Sequence, residues 1–176
     1  MVPDMGVPSE VLARLDRLES ESAIRTLVVR YFDICDHLNA TTPLDELGSL
    51  FTEDAMWSGR GARYGAALGA HYGRAAIVAM LGSYAGPEPH FAFNAHFLNS
   101  ERIVVDGDRA VGRWMMLQTS TYTAGTSDLR AASLRLAFSR LAEGWRIRSF
   151  ETKNLFSRRV DCWDDRAAIP IPAPDA

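Results

Sequence analysis

The amino-acid sequence predicts an α+β fold in which a curved antiparallel sheet packs against N-terminal helices. Two observations predict it. Apolar side chains recur at three and four positions through the first half of the 176 residues, and from about residue 90 they recur at two. The period-two segments are also joined by Asp106-Gly-Asp108 and Ala142-Glu-Gly144, glycine turns of the hairpin kind. The length suits one domain with a core large enough to hold an internal pocket. Its expected span is residues 9–159, between a flexible tail at 1–8, punctuated by Pro3 and Pro8, and a proline-rich tail at 160–176.

Taken in order, Val11, Leu15 and Leu18 predict a short amphipathic helix from about Ser9, and Ser20 or Ser22 caps a second one. In the second, Ile24, Leu27, Val28, Tyr31, Cys35 and Leu38 form a stripe with Tyr31 at its centre. Asp36 lies about 120° from that centre at ~3.6 residues per turn, on the flank, and Asp33 falls on the wet face. Thr42-Pro43-Leu44-Asp45 reads as a helix start, with the helix running through Leu47, Leu50 and Phe51. A short strand at 54–57, a loop at 58–65 and a helix at 74–84 follow. Strands are expected at 90–96, 102–105, 110–123, 129–141 and 145–152.

Composition narrows the function classes. With 19 basic and 22 acidic side chains, a formal charge of −3 and no basic block, nucleic acid is excluded as a partner. Cys35 and Cys162 have no metal-type spacing and imply no disulfide framework. The first nine residues lack a basic start and an apolar run, and no stretch approaches the ~18 apolar residues of a membrane span, so no membrane contact and a cytoplasmic location are expected. The four histidines do not suggest a metal. His90 and His96 stand roughly 20 Å apart on an extended strand at ~3.3 Å per residue, and neither His-Glu-x-x-His nor Cys-x-x-Cys occurs. Gly59-Arg-Gly61 lacks the strand and helix of a dinucleotide site, and Ser120 and Ser133 lack a nucleophile elbow.

Period two along residues 90–96 puts His90, Ala92, Asn94 and His96 on one face and Phe91, Phe93, Ala95 and Phe97 on the other. For an arbitrary antiparallel sheet the polar face would be the wet one. The next strand, 110–123, has large apolar groups on both faces near its middle, as expected for a strand covered by helices on one side and lining a cavity or a subunit interface on the other.

The motifs Leu18-x5-Ile24-Arg-x-Leu-x-x-Arg-Tyr31-x4-Asp36, Leu50-Phe-Thr-Glu-Asp-Ala-Met-Trp57, Tyr72-Gly-Arg-Ala-Ala-Ile77, His96-x-x-Asn-Ser-x-x-Ile103-Val-Val-Asp-Gly-Asp-Arg-Ala110 and Gly144-Trp-Arg-Ile147 together resemble a SnoaL-like domain. This belongs to the nuclear transport factor 2-like superfamily, in the branch of scytalone dehydratase and bile-acid 7α-dehydratase. The resemblance covers about residues 10 to 150. It implies a cone-shaped curved sheet, and it brings together Tyr31 and Asp36 from the long helix and His96 from the strand before the Asp-Gly turn. Asn99-Ser100 stands where a Thr-Asn pair often follows the histidine, which implies altered hydrogen bonding beside the base. It also implies a homodimer or homotrimer.

On that basis the expected activity is a cofactor-independent, dehydratase-like lyase acting on a small hydrophobic, oxygenated ring of polyketide or steroid type. His96, oriented by Asp36, would take a proton from carbon, and Tyr31 would bind the developing oxyanion. Trp57, Met80, Asn94, Trp114, Met116 and Phe138 are expected to line the pocket. Arg135 is either an anion-binding residue there or an exposed sheet arginine, and His90 is expected to be exposed, near the cone's mouth. The alternatives are an isomerase or cyclase of the same fold, a non-catalytic small-ligand-binding module, and the small subunit of a ring-hydroxylating oxygenase.

Overall fold

A computed structural model describes residues 7–161 and 163. Most of the two expected tails, and Cys162 with them, lie outside the described residues.

The first helix, α1 (Ser9–Asp36), is one continuous element of 28 residues where the sequence suggests two. Of the two serines expected to cap a second helix, Ser20 bonds backwards instead, and Ser22 only receives such a bond at its carbonyl. Ser20 Oγ donates to the Asp16 carbonyl at 2.6 Å, and Thr26 Oγ1 donates to the Ser22 carbonyl at 3.1 Å. Such one-turn bonds leave the backbone ladder intact. Arg140 of the sheet holds the first half in place with a two-pronged bond to Asp16 (2.8 and 3.0 Å) and a third bond to Ser20 (2.6 Å).

Helix α2 (Leu44–Ser49) stops two residues earlier than periodicity suggests, because Phe51 opens strand β1 (Phe51–Arg60). The expected loop at 58–65 is the end of β1 and helix α3 (Gly61–Leu68), after which come β2 (Ala70–Tyr72) and α4 (Arg74–Gly82). The two strands expected at 90–96 and 102–105 are a single strand, β3 (Phe91–Asp106), irregular between Asn99 and Arg102 where Ser100 takes φ 52°. Strands β4 (Arg109–Tyr122), β5 (Ser127–Leu141) and β6 (Gly144–Val160) complete the sheet.

The strand order is β2-β1-β6-β5-β4-β3. Strands β3 to β6 form the expected antiparallel run, but β1 joins β6 in parallel, so the sheet is mixed. Register shifts within β1/β6, β3/β4 and β5/β6 bend it, since an extra residue in one strand increases the local twist. The inner face of the curve buries Phe51, Leu136, Phe138 and Ile147 against Ile24 and Val28 of α1, Leu47 of α2 and Ile77 of α4. Each such side chain stabilises the fold by about 1.5–3 kcal/mol. No helix of the described residues is long and apolar enough to cross a membrane.

Helix α3 passes so close to β1 that only glycine fits at residue 59. A Cβ there would lie 2.2 Å from the Tyr64 carbonyl oxygen, whereas one at Gly65 would meet nothing closer than 3.8 Å. Gly59→Ala is therefore expected to destabilise by about 1–3 kcal/mol, lowering the melting temperature by several degrees. Gly65→Ala, in the helix interior, should raise it slightly. Thermal denaturation followed by circular dichroism checks both, and equal effects would refute the close approach.

Candidate active site

Helix α1 ends on Asp36, and strand β3 crosses that end. The Asp36 carboxylate takes three hydrogen bonds from one short stretch of β3. It accepts from His96 Nδ1 at 2.5 Å, from the His96 backbone N–H at 3.1 Å and from Asn94 Nδ2 at 3.2 Å. A carboxylate only accepts, so the hydrogen of the neutral imidazole sits on Nδ1 and the lone pair on Nε2. Among the described residues Nε2 has no hydrogen-bond partner, and the ring borders the cavity described below. Phe32 packs against the other side of the ring, centroid to centroid 4.8 Å. An acid at a helix C-terminus faces the negative end of the helix dipole. The three donors offset that cost, and the side chains of Asp36 and His96 are only 17% and 11% exposed.

A second tier holds the first. Asn94 Oδ1 accepts from Gln118 Nε2 (2.9 Å) and Ser120 Oγ (2.7 Å), and Gln118 also bonds Ser120 (3.1 Å). Asn94, Gln118 and Ser120 are all buried, so the network is rigid as well as satisfied.

The cavity measures about 420 Å³ and sits between the helices and the inner face of the sheet. Tyr31, Trp57, Met80, Asn94, His96 and Met116 all border it. Three expected residues do not. Trp114 is buried over Gly112 and beside Phe138, and its Nε1 donates to Glu101 at 3.2 Å. Phe138 is 1% exposed in the core. Both point inward as their alternation requires, but they lie too far along the strands to reach the cavity. Arg135 occupies the opposite face, in a separate depression with Arg60, Arg113, Glu151 and Lys153.

His90 is exposed at the cavity rim, its ring 5.2 Å from those of both Tyr84 and Tyr122. Phe91, expected on the opposite face from His96, also borders the cavity, because the register slips between Phe91 and Phe93 and reverses the alternation there. Asn99 and Ser100 are exposed and bond each other (3.4 Å) rather than the base.

Tyr31 lies at the cavity's inner end, 2% exposed, among Phe32, Phe51 and Phe150. Its oxygen accepts from Trp57 Nε1 at 3.1 Å. An indole N–H can only donate, so Trp57 does not engage the phenol hydrogen, which has the Cys35 sulfur within its reach. Burial pushes the Tyr31 phenol well above its ordinary range and the Cys35 thiol up to about 12. Both groups are thus neutral near pH 7.

The sequence reading missed a polar cluster at the other end of the cavity. Arg130 donates to Asp128 Oδ2 through Nε (3.1 Å) and Nη2 (2.6 Å), and Nη2 also reaches the Tyr122 hydroxyl. Tyr122 in turn donates to Asp128 at 3.0 Å, and burial raises its phenol to about 12. The signal was the inward alternation of β5, which runs unbroken against β4 and selects Arg130 with Leu134 while rejecting Arg135. Among the described residues no group of three or more His, Cys, Asp or Glu side chains is placed to hold a metal ion.

A family model described as a SnoaL-like domain matches residues 16–151. Among solved structures, a nuclear transport factor 2-like protein with a cystatin-like fold from Novosphingobium aromaticivorans is 26% identical, with a TM-score of 0.64 over 86% of this chain and 92% of that one. A hexachlorocyclohexane dehydrochlorinase from Novosphingobium barchaimii (20% identity, TM-score 0.68, 92% and 99% coverage) and a candidate scytalone dehydratase from N. aromaticivorans (20%, 0.67, 90% and 97%) share the fold. No curated protein matches the chain.

The raised thiol and phenols predict alkaline sensitivity. A group protonated in the fold at a pH where the unfolded chain has lost its proton contributes stability that is present below its unfolded pKa and lost as pH rises toward its folded one. For Cys35 that window runs from about 9 to about 12, and for Tyr122 from about 10 to about 12. Unfolding free energy from urea titrations should fall by up to about 1.4 kcal/mol per pH unit for the buried Cys35, and by less for Tyr122, which solvent partly screens. Cys35→Ala should flatten the onset near pH 9, and a wild-type profile level from pH 8 to 11 would contradict the burial.

Proposed function

Since this chain belongs to the SnoaL-like domain family, we propose that it is a cofactor-independent lyase of dehydratase type, acting on a small, largely hydrophobic ring substrate that carries oxygens. The observation that carries the proposal is the 2.5 Å bond from His96 Nδ1 to Asp36, which leaves Nε2 as an unpartnered base at the edge of a cavity walled by Trp57, Met80, Met116 and Phe150. The dehydrochlorinase and dehydratase names of the structural neighbours are both eliminations, which agrees with this reading.

In the proposed reaction His96 Nε2 removes a proton from a carbon beside a carbonyl, and the C–H electrons move into the carbonyl to form an enolate. Asp36 holds the ring in place and stabilises the imidazolium that results. Tyr31 turns its hydroxyl hydrogen from the Cys35 sulfur to the enolate oxygen, where negative charge grows. The enolate then expels a hydroxyl from the neighbouring carbon, and that hydroxyl leaves as water with the proton from Nε2. One C–H and one C–O bond break and one C=C bond forms, with no change of oxidation state for the whole and no co-reactant. The same apparatus returning its proton to a different carbon would be an isomerase, and a cavity that binds without proton transfer would be a ligand carrier.

We further propose self-association through the outer face of the sheet. Phe93, Phe97, Val111 and Met115 are exposed there, each by 37% or more, an apolar surface suited to a second copy.

Incubation with hydrophobic hydroxy-ketones, followed by mass spectrometry for loss of water, tests the activity. His96→Ala and Asp36→Asn should each lower turnover by about 10²–10⁴-fold. Tyr31→Phe should lower it by about 10²–10³-fold, and it should also destabilise the protein by about 1–3 kcal/mol because the Trp57 N–H loses its acceptor. Turnover undiminished in His96→Ala would end the proposal, and ligand binding without any water loss would favour the carrier reading.

A further inference from the structure

We infer that Arg130 is the residue that selects the substrate, and that the substrate carries a carboxylate on the edge of its ring system remote from the reacting carbon. This rests on the reading of the cavity as a substrate site. The register places His96 opposite Gln118, Gln118 opposite Arg130 and Arg130 opposite Ser157, and all four border the cavity. They form one polar row across four strands, with the backbones of His96 and Arg130 about 10 Å apart at two strand spacings of ~4.8 Å. Gln118 lies between the two ends and gives its Nε2 to Asn94 and Ser120, and the rest of the wall there is apolar, with Leu134, Met116, Trp57 and Phe150. A ligand that fits is polar at both ends and largely apolar between them, and a fused pair of rings suits that shape.

Three features favour an anion at the Arg130 end. The guanidinium gives Nε and Nη2 to one oxygen of Asp128 instead of matching both oxygens as a fork, so Nη1 has no partner among the described residues. Tyr122, bonded to both Arg130 and Asp128, keeps the guanidinium in that pose. Arg63 borders the cavity too, and it shares the adjoining depression with Arg158 and Arg159. Asp128 is the carboxylate among the lining residues of that depression, so cations outnumber acids. The half-buried setting strengthens a charged hydrogen bond, and a fixed planar donor suits a carboxylate.

The test compares 2-naphthoate with methyl 2-naphthoate, which has the same ring system and no charge. Binding to the full chain is followed by quenching of tryptophan fluorescence. Wild type should bind the acid at least about tenfold more tightly than the ester, the worth of a charge-assisted hydrogen bond. Arg130→Gln should remove that preference while the affinity for the ester changes by less than about threefold, and Arg135→Gln should leave both unchanged. Arg130→Lys keeps a charge opposite Asp128 and guards against misfolding in the Gln variant. It should lose most of the preference, because the rigid planar donor is gone. Equal affinity of wild type for acid and ester, an undiminished preference in both Arg130 variants, or no binding of the acid at millimolar concentration would each overturn the inference. His96→Ala should keep the preference for the acid. Failure of the elimination reading thus shows in turnover alone, and failure here shows in binding.

Discussion

Everything else at the site depends on where the Asp36 carboxylate is held. It closes the C-terminal end of α1, an electrostatically unfavourable place for an acid, and it is bound there by three donors from residues 94 to 96 of β3. Those three bonds join helix to sheet, fix the tautomer of His96 and aim its free nitrogen at the cavity's edge. A local rule is broken at this point and the surrounding structure compensates for it, which is the usual mark of a functional position.

The rest of the architecture keeps that contact in register. Arg140 clamps the early part of α1 to the sheet, so the 28-residue helix cannot slide along it. Bulges bend the strands until their inner face encloses space, and the buried Asn94–Gln118–Ser120 network keeps the polar floor from moving. Trp57 stacks on Phe150 with centroids 5.5 Å apart, and its N–H binds Tyr31. Tyr31 therefore cannot turn its oxygen away from the cavity without leaving a buried donor unsatisfied.

Much of the fold was legible, because period and turn chemistry are local. The switch from helical to alternating patterning and the two glycine turns predict β3 to β6 in their right order and direction. The errors share a cause. The split of α1 at Ser20 and Ser22, the loop read at 58–65 and the two short strands read for β3 all treat local interruption as termination, whereas long-range contacts carried each element through. The parallel partnership of β1 with β6 has no local signal, since strand neighbours so far apart in sequence are chosen by the closure of the whole sheet.

The sequence by itself determined which side chains face inward on α1, and so placed Tyr31 inside and Asp33 outside, and on β4 it separated the two faces without deciding between them. Periodicity is a property of each element alone, and that is why it suffices. Only the tertiary structure decided what those inward faces meet. It brought Asp36, which lies on the flank of its helix, within 2.5 Å of a histidine 60 positions later, and it put Trp114 and Phe138 in solid core instead of cavity. It also exchanged Arg135 for Arg130 as the arginine that shares a space with the base. The meeting of Asp36 and His96 turns on strand register, because a shift of one residue sends a side chain to the other face of the sheet, whereas Trp114 and Phe138 keep their inward face and lie too far along their strands.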